Sequence, residues 1–131
     1  MLSRQSFTRL VATTGIVASS VLLAAPAYAR GGDVRKSVTC SRGSIATLKL
    51  APRDGAIETE FEVDSNVVGQ RWSTRISDNG TVVFSGARTT VAPSGSFTIE
   101  KRIPNRPGTD RVVGRATYAG TGESCTVSLS I

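Results

Sequence analysis

Residues 70–86 read QRWSTRISDNGTVVFSG and hold the only tryptophan of the chain, a turn signal and two alternating apolar runs. Trp72, Thr74 and Ile76 share one face of an extended strand, and Val82 and Phe84 must join them if the returning strand is to serve the same core. This parity predicts a hairpin with Asp78-Asn79-Gly80 as a three-residue loop closed by Gly80 in the left-handed region. Ile76 then lies opposite Val82, and Thr74 opposite Phe84. A two-residue Asn-Gly turn would set Ile76 against Val83 and turn Phe84 outward. Either way the stretch is β-hairpin, and it predicts an all-β domain.

At the start of the chain Arg4 and Arg9 precede an uncharged run from Leu10 to Ala25, followed by Pro26 and the A-x-A triplet Ala27-Tyr28-Ala29. This is the pattern of a secretory signal peptide over residues 1–29. The run is shorter than the roughly 20 apolar residues a bilayer requires and is diluted by Thr13, Thr14, Gly15, Ser19 and Ser20, which counts against a membrane anchor. Ser3-Arg4-Gln5-Ser6-Phe7 has glutamine where a twin-arginine signal has its second arginine, which favours the general secretory route. The expectation is a secreted, extracellular protein with no membrane attachment after cleavage.

Residues 30–131 are of a size for one β-sandwich, enough to bury roughly two thirds of the unfolded surface. Net charge is +6, falling to +4 once Arg4 and Arg9 leave with the leader. That excess favours anionic partners without specifying one. Cys40 and Cys125 are the only cysteines, and in an exported chain a disulfide between them is the default. Closing so long a loop stabilises by about 4 kcal/mol on the chain-entropy account, which matters in a protein with 5% aromatics. Two thiols and no histidine do not complete a zinc site, so neither metal nor cofactor is expected.

Short strands separated by turn residues fill the rest, with no helical periodicity and no internal repeat. Val34 to Cys40 and Ala46 to Ala51 are strands, and Pro52-Arg53-Asp54-Gly55 is a turn. Ala56 to Asp64 alternates strictly, with Ile57, Thr59, Phe61 and Val63 inward and Glu58, Glu60 and Glu62 toward water. Ser96 to Ile103 follows the first hairpin, and Pro104-Asn105-Arg106-Pro107-Gly108 makes a stiff loop. Arg111 to Ala119 and Glu123 to Ile131 form a second hairpin about Thr121-Gly122, with Tyr118 opposite Cys125 and Ala116 opposite Val127.

In order, these elements resemble an extra N-terminal strand followed by strands A, B, C, C′, E, F and G of an immunoglobulin or fibronectin type III domain. Trp72 stands at the strand C core position, and IPNRPGTDRVVGRATYAGTGESC looks like an E-F corner and F-G hairpin. The resemblance implies an immunoglobulin-like antiparallel β-sandwich of seven to eight strands with one disulfide. It departs from the pattern at Phe61, near the place of the strand B cysteine, and at Arg111, in the place of the corner tyrosine. The leader, the early cysteine, AIETEFEVDSNVVGQRW, SDNGTVVFSG and ATYAGTGESC together also resemble small secreted proteins of high-GC Gram-positive bacteria, a likeness that brings no function with it.

Lack of histidine excludes histidine-dependent triads, and oxidised cysteines exclude a thiol nucleophile. Glu58, Glu60 and Glu62 recur about 7 Å apart on one strand, but a glycosidase pair must flank its bond from two sides of a cleft. They read as a solvated face. Asn79-Gly80-Thr81 is a turn that happens to match a glycosylation sequon. No catalytic residue is assigned.

The arginines say more. If strands C and F share a sheet, Arg71, Arg75, Arg111 and Arg115 all project from its outer face, with Glu58, Glu60, Glu62 and Glu100 on the opposite sheet. Outward charge also serves solubility and blunts sheet edges. As a site, the row suits an anionic polymer or another extracellular protein. Nucleic acid fits poorly because no aromatics interleave with the arginines. A different site is the loop between Pro104 and Pro107, where Asn105 and Arg106 would be held extended as in a protease inhibitor, rigidity lowering the entropy cost of binding. Cleavage after Ala29 predicts a mature chain beginning at Arg30; intact mass of the exported protein decides it, and a species retaining residues before Arg30 overturns the assignment.

Overall fold

The computed structural model describes residues 15–17 and 32–131. The rest of the expected leader and the expected cleavage site lie outside the described residues. Eight strands follow in order: β1 (Val34–Thr39), β2 (Ile45–Arg53), β3 (Ala56–Asp64), β4 (Arg71–Asp78), β5 (Thr81–Thr89), β6 (Ser96–Pro104), β7 (Arg111–Tyr118) and β8 (Glu123–Ser130). They form two four-stranded antiparallel sheets, ordered β1-β2-β3-β6 and β5-β4-β7-β8. This is the immunoglobulin-like sandwich. The N-terminal strand joins A, B and E in one sheet, while C′, C, F and G make the other.

Alternation within each strand builds the core. β3 buries Ile57, Thr59, Phe61 and Val63, and β4 buries Trp72, Thr74 and Ile76 from the facing sheet. The Trp72 ring stacks on Tyr118 at 5.5 Å and tilts against Phe97 at 6.5 Å. Between the sheets the Phe61 ring occupies the space a side chain on Gly114 would need: a methyl group there would stand 2.7 Å from the ring. Where an antibody domain joins its sheets by a disulfide between strands B and F, this protein packs a phenylalanine on a glycine. Its own disulfide, Cys40–Cys125, instead ties the β1–β2 turn to β8 across a sequence separation of 85.

Two expected registers are corrected. The first hairpin turns on Asn79 and Gly80 alone, with φ of 47° and 84° and Asp78 paired to Thr81. Both central residues are left-handed, the combination whose twist matches that of the flanking strands. The parity conflict of a two-residue turn is removed by a bulge beyond Ser77 and Val82, so that Val83 is the extra residue and Ile76 meets Phe84. Phe84 keeps its place against the core. Thr74 pairs with Gly86, and Val82 goes to solvent, 49% exposed.

The second hairpin is offset by two residues from expectation: Tyr118 faces Glu123, Ala116 faces Cys125 and Gly114 faces Val127. An even offset leaves every side chain on its expected face. A two-residue turn on Thr121-Gly122 would force a β-branched residue to positive φ. The loop instead runs from Ala119 to Gly122, closed by the Gly122 amide donating to the Tyr118 carbonyl at 2.9 Å, with only Gly122 left-handed, at φ 73°.

Gly114→Ala is expected to cost about 1–3 kcal/mol through overpacking against Phe61, measured by urea unfolding, with part of the loss recovered in the Gly114→Ala/Phe61→Leu double variant. A single variant as stable as the wild type would show that the sheets part freely at this point.

Candidate functional site

On the outer face of β5-β4-β7-β8, alternation puts Arg71 and Arg75 of β4, and Arg111 and Arg115 of β7, toward solvent, and all four are exposed. The β4–β7 register sets Arg75 directly opposite Arg115, with Cβ atoms about 5 Å apart. Ser85 of β5 and Thr126 of β8 extend the same row. In the next row Ser73 faces Thr117. These small side chains leave an open groove of about 450 Å³ lined by Ser73, Arg75, Ser85, Gly86, Arg115 and Thr117. The outer residues of β8 are Ser124, Thr126, Ser128 and Ser130. No carboxylate projects from the strands of this face.

Among the described residues, none of the four arginines is in an ion pair. Only Arg111 has a side-chain hydrogen bond, from Nε to the Ser128 hydroxyl at 3.2 Å. All four ion pairs belong to the other sheet and its N-terminal approach: Arg53–Asp33 at 2.9 Å, Arg102–Glu58 at 3.3 Å, and Lys49 with Glu60 at 3.6 Å and Asp33 at 3.8 Å. Hydrogen bonding by Arg53 holds the Asp33 carboxyl below its ordinary range. Glu58, Glu60, Glu62 and Glu100 do lie on the opposite face, but Arg35, Lys49, Arg53 and Arg102 are interleaved with them. The two faces therefore differ in composition: one mixes both signs and is partly paired, with Glu62 and Glu100 in no ion pair among the described residues, and the other carries basic charge alone. Separation of β3 and β4 into different sheets keeps Glu58 and Glu62 away from Arg75 and Arg71.

The loop after β6 is tethered. Asn105 donates its amide to the Gly55 carbonyl at 3.2 Å, and Arg106 donates its amide to Asp110 Oδ2 at 3.3 Å. Both side chains are exposed, at the end of the sandwich away from the β1–β2 turn and remote from the groove.

Three buried carboxyls escaped the sequence reading. Glu123 accepts the amides of Arg42 at 2.9 Å and Ser44 at 3.0 Å and the Ser44 hydroxyl at 2.6 Å, capping the turn that carries Cys40. Burial pushes its carboxyl up, but these hydrogen bonds outweigh burial and hold it below its ordinary value. Asp78 and Asp110, 1% and 0% exposed, meet at the opposite end. Both Asp78 oxygens and Asp110 Oδ1 lack a hydrogen-bond donor. Burial, then the neighbouring Asp110 carboxyl, which can accept a hydrogen bond only from protonated Asp78 and repels its ionised form, push the Asp78 carboxyl up to about 6, with Arg106 pulling weakly the other way. A perturbed acid is a candidate for chemistry only where substrate can reach it, and these acids are sealed. For Asp78 a signal existed: two residues beyond Ile76, it falls on the inward side of β4.

Among the described residues, no group of three or more histidine, cysteine, aspartate or glutamate side chains is placed to hold a metal ion. No family model, curated protein or solved structure matches the chain.

The raised Asp78 carboxyl gives a signed pH dependence. The unfolded chain releases this proton near 3.8 and the folded chain near 6, so the folded state binds the extra proton between these values. Its contribution is fully present below the unfolded value and is lost as pH rises through about 6, a decline of up to about 3 kcal/mol. Asp78→Asn should flatten stability over that interval and leave the chain more stable than wild type at pH 7 to 8, measured by denaturant midpoints from pH 4 to 8. An unchanged slope in the variant would assign the titration elsewhere.

Proposed function

We propose that the protein is a secreted, non-enzymatic binding module that holds anionic extracellular polymers on the outer face of β5-β4-β7-β8. The observation that carries this reading is Arg75 opposite Arg115, with no carboxylate on the face and every ion pair among the described residues elsewhere. Like charges directly opposite across strands destabilise a sheet. A face that carries basic charge and no carboxylate, beside another that mixes both signs, is explained by a ligand that supplies the negative charge. The leader of residues 1–29 supports export, and the Cys40–Cys125 disulfide is of the kind that persists in an oxidising compartment. Acids that are buried, or that lie on an open face with no cleft between them, support recognition over catalysis.

A protease-inhibitor role through Asn105 and Arg106 is the alternative, supported by the tethered backbone of that loop. Against it, the Arg106 charge already acts on the buried Asp78.

Ionic contacts of this kind weaken as salt shortens the Debye length from about 8 Å at physiological strength to about 3 Å at 1 M. The mature protein should adhere to purified anionic wall polymer at low salt and release at roughly molar salt. Replacing Arg71, Arg75, Arg111 and Arg115 together by serine should abolish adherence at an unchanged or slightly raised thermal midpoint. Retention of that quadruple variant equal to wild type removes the basic face from the binding account.

A further inference from the structure

The four arginines are not scattered over the face but fall on a line along the strands. β4 and β7 run antiparallel with Arg75 beside Arg115, so Arg71 lies four residues from this pair in one direction and Arg111 four residues from it in the other. At the strand rise each interval is about 13 Å, and the line spans about 26 Å. A compact anion meets only the central pair; a linear polyanion lying along the strands meets all four. Resting on the anion-binding reading above, we infer that the ligand is a linear phosphate polymer laid parallel to β4 and β7, with one phosphate seated between Arg75 and Arg115.

Phosphate is favoured by the number of donors at the centre. Two guanidinium forks and the hydroxyls of Ser73, Ser85 and Thr117 surround the groove, and among the described residues none of these side chains has a hydrogen-bond partner in the protein. A carboxylate offers about four acceptor sites in one plane. A phosphate presents strong acceptor oxygens in three dimensions and takes paired N–H donors from arginine in the same bidentate manner. The outer side chains of the four strands include no aromatic ring, so a polymer with stacking bases finds no platform here. Small hydroxyl residues flank the line instead.

Titration calorimetry of the mature protein at low salt with tripolyphosphate, a polyphosphate chain long enough to span the line, polygalacturonate of similar length, and oligo-deoxythymidine tests this. The long polyphosphate is expected to bind at least tenfold more tightly than tripolyphosphate. Arg71→Ser and Arg111→Ser should each weaken the long chain severalfold and leave tripolyphosphate unchanged, whereas Arg75→Ser and Arg115→Ser should weaken both. Equal affinity for short and long phosphate chains, with Arg71→Ser and Arg111→Ser silent, would reduce the line to a point site and overturn the inference while sparing anion binding. Polygalacturonate binding as tightly as polyphosphate would overturn the phosphate assignment, and tighter binding of oligo-deoxythymidine would transfer the face to nucleic acid. Failure of every polyanion to bind would remove the anion-binding reading itself.

Discussion

Side chains on a strand must alternate, and in β4 that constraint fixes both the inside and the outside of the molecule. Burial of Trp72, Thr74 and Ile76 leaves Arg71, Ser73 and Arg75 no direction but outward. Because β7 obeys the same rule in register with β4, Arg115 is delivered to the side of Arg75 by the packing of Ala116 and Gly114 behind it. The core thus sets the geometry of the charged face. Fully burying Trp72 and Phe61 is worth a few kcal/mol each, against a penalty of a few tenths to about 1 kcal/mol for opposed like charges. Burial wins, so the fold can carry the arginine pair at little cost in stability.

The same comparison explains which parts of the fold were legible in the sequence. β3 was readable to its end residues because alternation over AIETEFEVD is unbroken, and the pairing of β4 with β7 followed from recognising Trp72 as a core residue of a sandwich. The cysteine pairing followed from composition and compartment. Turn details were not legible to the same depth: two chain paths from Ile76 to Phe84 satisfy one parity, and only the conformations of Asn79 and Gly80 with the bulge at Val83 separate them. The β7–β8 hairpin was readable in its faces but not its register, since an offset of two residues changes no face.

Long-range polar contacts were beyond sequence reasoning for a different reason. Glu123 reaches Arg42 and Ser44 across about 80 residues, and Asp78 meets Asp110 of the loop before β7; no local pattern announces either contact. Of the site, the identities and outward direction of the four arginines were legible. So was their separation from Glu58, Glu60, Glu62 and Glu100; what was not legible is that Asp33, Glu58 and Glu60 find basic partners on their own side. The expected contrast of a basic face with an acidic one gave way to a contrast between a basic face and one of mixed, partly paired charge. That is the sharper distinction for ligand binding, since attraction at short range depends on unpaired charge.

The most displaced carboxyl of the described residues and the open groove lie in different parts of the molecule. Asp78 has a carboxyl displaced toward the range a general acid or base needs at neutral pH, but it is sealed with Asp110 at one end of the sandwich. The groove open to solvent is lined by guanidinium and hydroxyl groups. These donate hydrogen bonds well, and the guanidinium does not give up its proton in water. Proton transfer near neutral pH requires a group that is both displaced toward that range and reachable, and Asp78 meets only the first condition. What the reachable face offers is a fixed array of donors on a rigid sheet, preorganised by the core beneath it. Such an array pays little entropy on binding and suits holding a charged chain in place.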